Sequence, residues 1–269
     1  MDNLCALIKF GEKEFMERFS NGHLYFSHAK KIREYEMHIN PKGQNDYLEG
    51  LTKLFTKRLA IEPHDGSQHS VISDPSEVYV RYGNANELID HIPLLCLFMC
   101  FQKDCTGIQN KQKITLSDEV KNDIHSHFKK ADTAVIITNP NDFYQDIRDS
   151  FKNTHVCEKI QYFHIDNGLV TRDGKKAVDK RYLDYLVQGS KPEDSVIDGK
   201  KVRSYTFTED DAYRVLFCKD VYFTNEQELR ILLLKQHIDF PREFNVDFKR
   251  TKAKTVSITE LFNNQIFLT

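Results

Sequence analysis

The sequence contains no tryptophan, 7 prolines and 4 methionines in 269 residues, and its 38 Lys and Arg nearly balance its 40 Asp and Glu. A formal charge of -2 removes any global electrostatic argument for nucleic acid or an anionic membrane as partner. No apolar run approaches a membrane span, and the opening M-D-N-L-C-A-L-I-K-F-G lacks the basic and apolar regions of a secretory leader. The expectation is a cytoplasmic protein without membrane contact. Cysteines at 5, 96, 100, 105, 157 and 218 show neither paired CxxC spacing nor the density of a secreted scaffold, which predicts reduced thiols. The P-loop, G-x-G-x-x-G, H-E-x-x-H and G-x-S-x-G signatures are all missing, which removes the simplest ATPase, dehydrogenase, zincin and hydrolase readings.

What is present is an ordinary globular balance, 40% hydrophobic and 29% charged, with 19 Phe and 12 Tyr supplying the aromatic content. The length admits one large domain or two small ones. With no internal repeat or sharp composition shift, a single domain over 1–269 is the simplest expectation. Leu4 to Phe10, ended by Gly11, predicts a short strand, Glu12 to Ser20 a helix, and His23 to Ser27 a second strand. A helix is expected over Tyr47 to Leu59 from Leu48, Leu51, Leu54 and Phe55, then a long loop to about Ser76 and a strand at Val78 to Tyr82. The apolar Ile92 to Phe101 predicts a central buried strand in which Cys96 and Cys100 are core residues.

Ser117 caps an expected helix to Lys130, built on Val120, Ile124 and Phe128. His125 and His127 lie two apart on it, the wrong spacing for a metal pair, so both are expected in solvent and no metal is predicted. Ala134 to Thr138 is a strand, Asn139-Pro140 opens a helix burying Phe143, Ile147 and Phe151, and Lys159 to Ile165 is a further strand. Beyond it come a short helix within Lys175 to Val187, a polar linker over Gly189 to Lys201, and strands at Val202 to Phe207 and Val215 to Lys219. Strands and helices mix without regular βαβ alternation, which predicts α+β with a split, strongly bent, mainly antiparallel sheet and flanking helices.

The stretch Y-F-T-N-E-Q-E-L-R-I-L-L-L, Tyr222 to Leu234, carries the densest chemistry. Its second half alternates as a strand, and extending that alternation back places Glu226, Glu228 and Arg230 on one face. Two readings stand open. Arg230 pairs with a carboxylate at a solvated strand end, or a Glu-x-Glu strand stabilises an electron-deficient sugar with one acid and positions an acceptor with the other. Cys5, with eleven histidines in the chain, also imitates a thiol nucleophile, although so many His make that pairing weakly specific.

The run N-G-H-L-Y-F-S-H-A-K-K-I-R-E-Y resembles the second-strand motif of ADP-ribosyltransferases of the diphtheria-toxin and poly(ADP-ribose) polymerase type. The series I-K-F-G, L-Y-F-S, N-D-Y-L-E-G (Asn45 to Gly50) and E-Q-E-L-R (Glu226 to Arg230) also resembles a widespread bacterial group with these motifs in this order. The resemblance covers both ends of the chain and leaves the middle loosely matched. It implies an NAD-binding cleft in a split sheet, with NAD as substrate. Lys9 takes the place of the usual first-strand His or Arg, Tyr25 that of the nicotinamide-stacking Tyr, with Ser27 on the same strand face and Tyr35 on the following helix. Glu228 matches the late-strand Glu that would stabilise the oxocarbenium ion, and Glu226 the acceptor-orienting position.

The function so implied is an ADP-ribosyltransferase toxin or antiphage effector acting on a nucleic acid or protein, with an antitoxin or inhibitor protein as a possible partner. A non-catalytic interaction or regulatory protein on the same fold, and an NAD glycohydrolase using water as acceptor, are the alternatives. Lys249, Arg250, Lys252 and Lys254, with a second cluster at Lys200, Lys201 and Arg203, make either a solvated face or a phosphate-backbone track.

Overall fold

A computed structural model describes residues 3–36, 52–54, 58–61, 70–73, 78–80, 89–107, 112–152, 154–165, 169–170, 172, 174, 176–177, 179–188, 192–197, 199–205 and 213–268. The chain forms two compact units, each discontinuous in sequence. One comprises Met1–Tyr47, Asp90–Ile160 and Tyr222–Thr269, the other Leu48–Ile89 and Gln161–Val221.

The first unit is built on a six-stranded sheet, and labels are used only for that sheet and the elements packed around it. In chain order β1 is Leu4–Gly11, α1 Lys13–Ser20, β2 His23–Phe26, α2 Ala29–Glu36, β3 Leu94–Phe101, α3 Asp118–His127, β4 Thr133–Ile137, α4 Pro140–Phe151, β5 His155–Lys159, β6 Glu228–Leu233, β7 Arg242–Asn245 and β8 Ala253–Ser257. The sheet order is β5-β6-β3-β1-β4-β8, and every neighbouring pair is antiparallel. β7 pairs with β2 as a separate ribbon.

The apolar runs of β1, β3 and β4 are continuous rather than alternating because the sheet is covered on both sides. On one face Leu7, Leu95, Leu97, Val135, Ile137, Leu229, Ile231 and Leu233 pack against Met16 and Phe19 of α1, Phe143 and Ile147 of α4, and Leu24 and Phe26 of β2. On the other, Ala6, Ile8, Phe10, Phe98, Cys100, Ala134 and Ile136 pack against Val120 and Ile124 of α3 and Leu261. The caps follow the expected chemistry. Ser117 Oγ accepts from the Val120 N–H at 3.3 Å to start α3, and Pro140 occupies the first turn of α4.

The second unit contains antiparallel pairs Thr52–Leu54 with Val78–Val80, Arg58–Ile61 with Ser70–Ser73, Leu169–Val170 with Lys176–Ala177, and Pro192–Ile197 with Lys200–Tyr205. Gln161–Phe163 and Cys218–Asp220 run parallel. The architecture is therefore α+β with mainly antiparallel sheets.

Several local expectations are corrected. Within the expected helix Tyr47 to Leu59, the described residues are strands, because T-K-L and R-L-A-I alternate as well as they match a helical stripe and both find partners. Part of the expected loop that follows is the strand Ser70–Ser73. The polar stretch Gly189 to Lys201 contributes to a hairpin turned at Gly199, whose φ of 72° suits glycine. Of Val215 to Lys219, Tyr213–Phe217 forms a 3₁₀ turn, leaving a strand only at Cys218–Asp220.

One buried acid anchors the approach to the edge strand β8. Asp146 on α4, 1% exposed, accepts from the Arg250 and Thr251 N–H groups at 3.0 and 2.9 Å, the Thr251 hydroxyl at 2.8 Å and the Arg250 guanidinium at 2.9 Å. Burial pushes its pKa up, but these hydrogen bonds together hold it below the usual carboxylate value. A depressed folded pKa contributes stability above the unfolded value of about 3.9, which is lost as pH falls through the folded value. Asp146→Asn is therefore expected to cost about 2 kcal/mol in urea unfolding at neutral pH, the deficit shrinking towards pH 3. An equal deficit at both pH values would refute the linkage.

Candidate functional site

The chain enters β6 through a break rather than a continuous strand. Val221–Glu226 is a 3₁₀ turn, and Gln227 follows with φ 42°, a left-handed conformation uncommon outside glycine. Its N–H donates to the Thr224 carbonyl at 3.2 Å, and its carbonyl accepts from the Met99 N–H at 2.8 Å. Its side-chain amide donates to Asp104 Oδ2 at 3.0 Å, and the same oxygen takes the Phe101 N–H at 2.9 Å. The buried Asp104 thus helps hold the strained residue in place. The expectation that Glu226 and Glu228 share a strand face is overturned. Alternation holds only from Glu228 onwards, because Gln227 is left-handed and Glu226 belongs to the turn.

Glu228 and Arg230 do share a face. Arg230 Nε donates to Glu228 Oε1 at 2.5 Å, and Nη2 lies 3.5 Å from Oε2. The two are 5% and 1% exposed, so this is not a pair at a solvated strand end. Arg230 also lies opposite Cys96 of β3 and Glu158 of β5. β6 therefore carries a charged pair on one face and Leu229, Ile231 and Leu233 on the other.

Lys9 sits where the sheet opens. Pairing of β1 with β3 stops at Ile8 opposite Phe98, although β1 continues to Gly11 and β3 begins at Leu94. β2 meets the start of β3 instead, through a bridge in which Ser27 and Leu94 exchange N–H to carbonyl bonds at 3.0 and 2.8 Å. Between the bridge and the last β1 pair, the Cys96 carbonyl accepts from the Lys9 ammonium at 2.9 Å. Burial pushes the Lys9 pKa below the ordinary lysine value, while Cys96 and the Glu228 charge oppose that shift. Lys9 and Glu228 are thus within electrostatic reach of one another, and Ser27 borders the same opening through its backbone.

Glu226 has a different partner. Its Oε1 lies 3.1 Å from His127 Nδ1, close enough for an ion pair but off the line of a hydrogen bond. His127 is 5% exposed and faces the Phe223 ring at 6.2 Å, so its expected place in solvent is corrected. The residue ends α3 on the side packed against the sheet, and Asn225 ties the turn to that helix by donating to Asp123 Oδ2 at 2.8 Å. Residue spacing within α3 carries no signal of this pairing, which crosses about a hundred positions of chain.

Tyr25 lies on the outer side of β2, since Leu24 and Phe26 enter the core, and it is 46% exposed. Its ring is 6.4 Å from that of Phe15, and partial burial followed by the charge of Glu243, its cross-strand partner, pushes its pKa up. Glu243 itself is ion-paired to Arg18. Tyr35 is on α2, its side chain outside the described residues, as is the whole Asn45 to Gly50 segment.

The basic run near the end of the first unit is partly neutralised. Arg250 bonds Asp146 and Asp149, and Lys249 lies 3.4 Å from Asp247. Lys200, Lys201 and Arg203 belong to the hairpin of the other unit. All six cysteines are free thiols, and burial pushes Cys5 up to about 11, against its use as a thiolate nucleophile. The chain matches no protein-family model, no curated protein and no solved structure.

Chemically, the arrangement supplies a carboxylate oriented by a guanidinium in a dry setting, close enough for its charge to be felt at Lys9. Removing one member strands a charge. Glu228→Ala is expected to lower stability by about 3–5 kcal/mol in urea unfolding, while the double change Glu228→Leu with Arg230→Met recovers most of the loss. A double variant no more stable than the single one would contradict this account. For Lys9, the lowered folded pKa means that the unfolded state binds more protons between that value and about 10.4, so the residue makes stability rise with pH there. The stability of Lys9→Met relative to the parent should accordingly fall as pH rises through that window.

Proposed function

We propose that the chain is an NAD-dependent ADP-ribosyltransferase that transfers ADP-ribose to a macromolecule, as a toxin or antiphage effector. The observation that carries this reading is the buried Glu228 carboxylate, held by Arg230 within electrostatic reach of Lys9 at the opening between β1 and β3. In the reaction the glycosidic C–N bond breaks and nicotinamide leaves with the electron pair. The acceptor then forms a bond to the anomeric carbon and loses its proton. A fixed carboxylate in a water-poor site stabilises the developing sugar cation far more than in bulk solvent. Lys9 would take a phosphate of the dinucleotide. Tyr25 would stack on nicotinamide in this reading, and Glu226 would orient the acceptor, a nucleic acid or a protein that an antitoxin or inhibitor protein could shield.

The Arg230 pair also favours a second reading, because a carboxylate already neutralised is what a non-catalytic binding or regulatory protein would retain. NAD glycohydrolase activity is the same chemistry with water as acceptor.

Incubation with labelled NAD and cell extract, followed by separate protease and nuclease digestion, tests these readings. Labelled macromolecule is expected, reduced roughly 100-fold by Glu228→Gln after correction for folded fraction. Free labelled ADP-ribose alone would show the glycohydrolase. Absence of calorimetric NAD binding would remove both NAD-consuming readings and favour the regulatory protein, in which Lys9 no longer holds NAD.

A further inference from the structure

A second cluster of ligating side chains lies in the first unit, on elements that the NAD reading does not use. His91 ends the short helical turn 89–91 before β3, and His237 and Asp239 flank Ile238 in the loop after β6. Ile238 is 3% exposed, its N–H donates to the His91 carbonyl at 3.0 Å, and its own carbonyl lies 3.0 Å from His91 Nδ1. The two segments are therefore locked by a reciprocal backbone and side-chain contact. The neighbours of the buried Ile238 are presented on the outside, beside His91.

The His91 and His237 rings lie 4.4 Å apart with a 30° tilt, and the buried His28 also stacks with His91, at 5.4 Å and 21°. Asp239 Oδ1 is 3.5 Å from His91 Nδ1 and 3.9 Å from His237 Nε2, and one ligating atom from each of the three residues lies within 4.8 Å of the others.

We propose that His91, His237 and Asp239 form a binding site for a late first-row divalent metal ion of the zinc, cobalt or nickel class. Two imidazoles and one carboxylate match the donor preference of these ions and leave open positions for water. Bonds of about 2.0–2.1 Å in a tetrahedron place ligand atoms roughly 3.3 Å apart, so the side chains must close inwards from their present spacing. His237 and Asp239 have the freedom to do so, at 49% and 76% side-chain exposure, while His91 is held in place at 17%. The Ile238 carbonyl acts as the outer partner of His91 Nδ1. It favours the tautomer with the proton there and leaves Nε2 as the ligating nitrogen, the usual support of a metal-bound imidazole. Because Asp239 Oδ1 now stands nearest Nδ1, its exposed side chain must swing to the Nε2 side to share the ion. The bound ion would pin the 237–239 loop to the turn before β3, independently of any nucleotide.

Titration of the untagged full chain with zinc chloride by calorimetry, and with cobalt chloride by visible absorption, tests the site without reference to NAD. One equivalent should bind, with His237→Gln and Asp239→Asn each weakening affinity by about 10-fold or more. Both residues are exposed, so these variants are expected to fold even if His91→Gln does not. His125→Gln, on the exposed side of α3, should leave affinity unchanged. No stoichiometric zinc binding, binding indifferent to both the His237 and Asp239 changes, or an equal loss in the His125 variant would overturn the proposal.

Discussion

A sheet covered on both faces leaves its strands no water to satisfy backbone groups, and this constraint governs the first unit. Each carbonyl in β1, β3 and β6 needs a neighbour, a side chain or a turn. Where β1 and β3 part company, the Cys96 carbonyl takes the ammonium of Lys9, and Leu94 is met by Ser27. The charged side chain at the opening therefore contributes to closing the hydrogen-bond ledger of the sheet. A catalytic part for Lys9 would be added to that structural one.

The same constraint explains the Glu228–Arg230 pair. An isolated charge so deep would cost several kcal/mol, so the two ions are held together, and the orientation that results is fixed rather than averaged over rotamers. Asp104 and Gln227 extend the fixed region into the turn before β6. The left-handed Gln227 then sends Glu226 to His127 instead of along the strand. Two acids that are neighbours in sequence thus serve different surroundings, one against Arg230 and one against an α3 imidazole.

Function and stability are hard to separate in such a site. Glu228, Glu226 and Lys9, argued to act on a substrate, also satisfy partners within the fold, so loss of activity in a variant carries information only when its folded fraction is known. The His91 cluster differs because two of its three side chains are exposed, and changes there test binding with little effect on the core.

The sequence by itself determined the long apolar strands, the caps at Ser117 and Pro140, the helix faces of α3 and α4, and the alternation of Leu229, Ile231 and Leu233. These follow from local period and capping chemistry, which need only neighbours along the chain. It also placed Glu228 and Arg230 on one strand face, because strand alternation needs only neighbours along the chain. Only the tertiary structure decided that the pair is buried, that Glu226 leaves the strand, that His127 is its partner, and that His91 meets His237 and Asp239. Burial depends on what covers a strand, and contacts between positions about a hundred residues apart or further leave no period in the sequence. The strands Thr52–Leu54 and Arg58–Ile61 differ from the expected helix for a related reason: a few residues satisfy both periods, and pairing with another strand makes the choice.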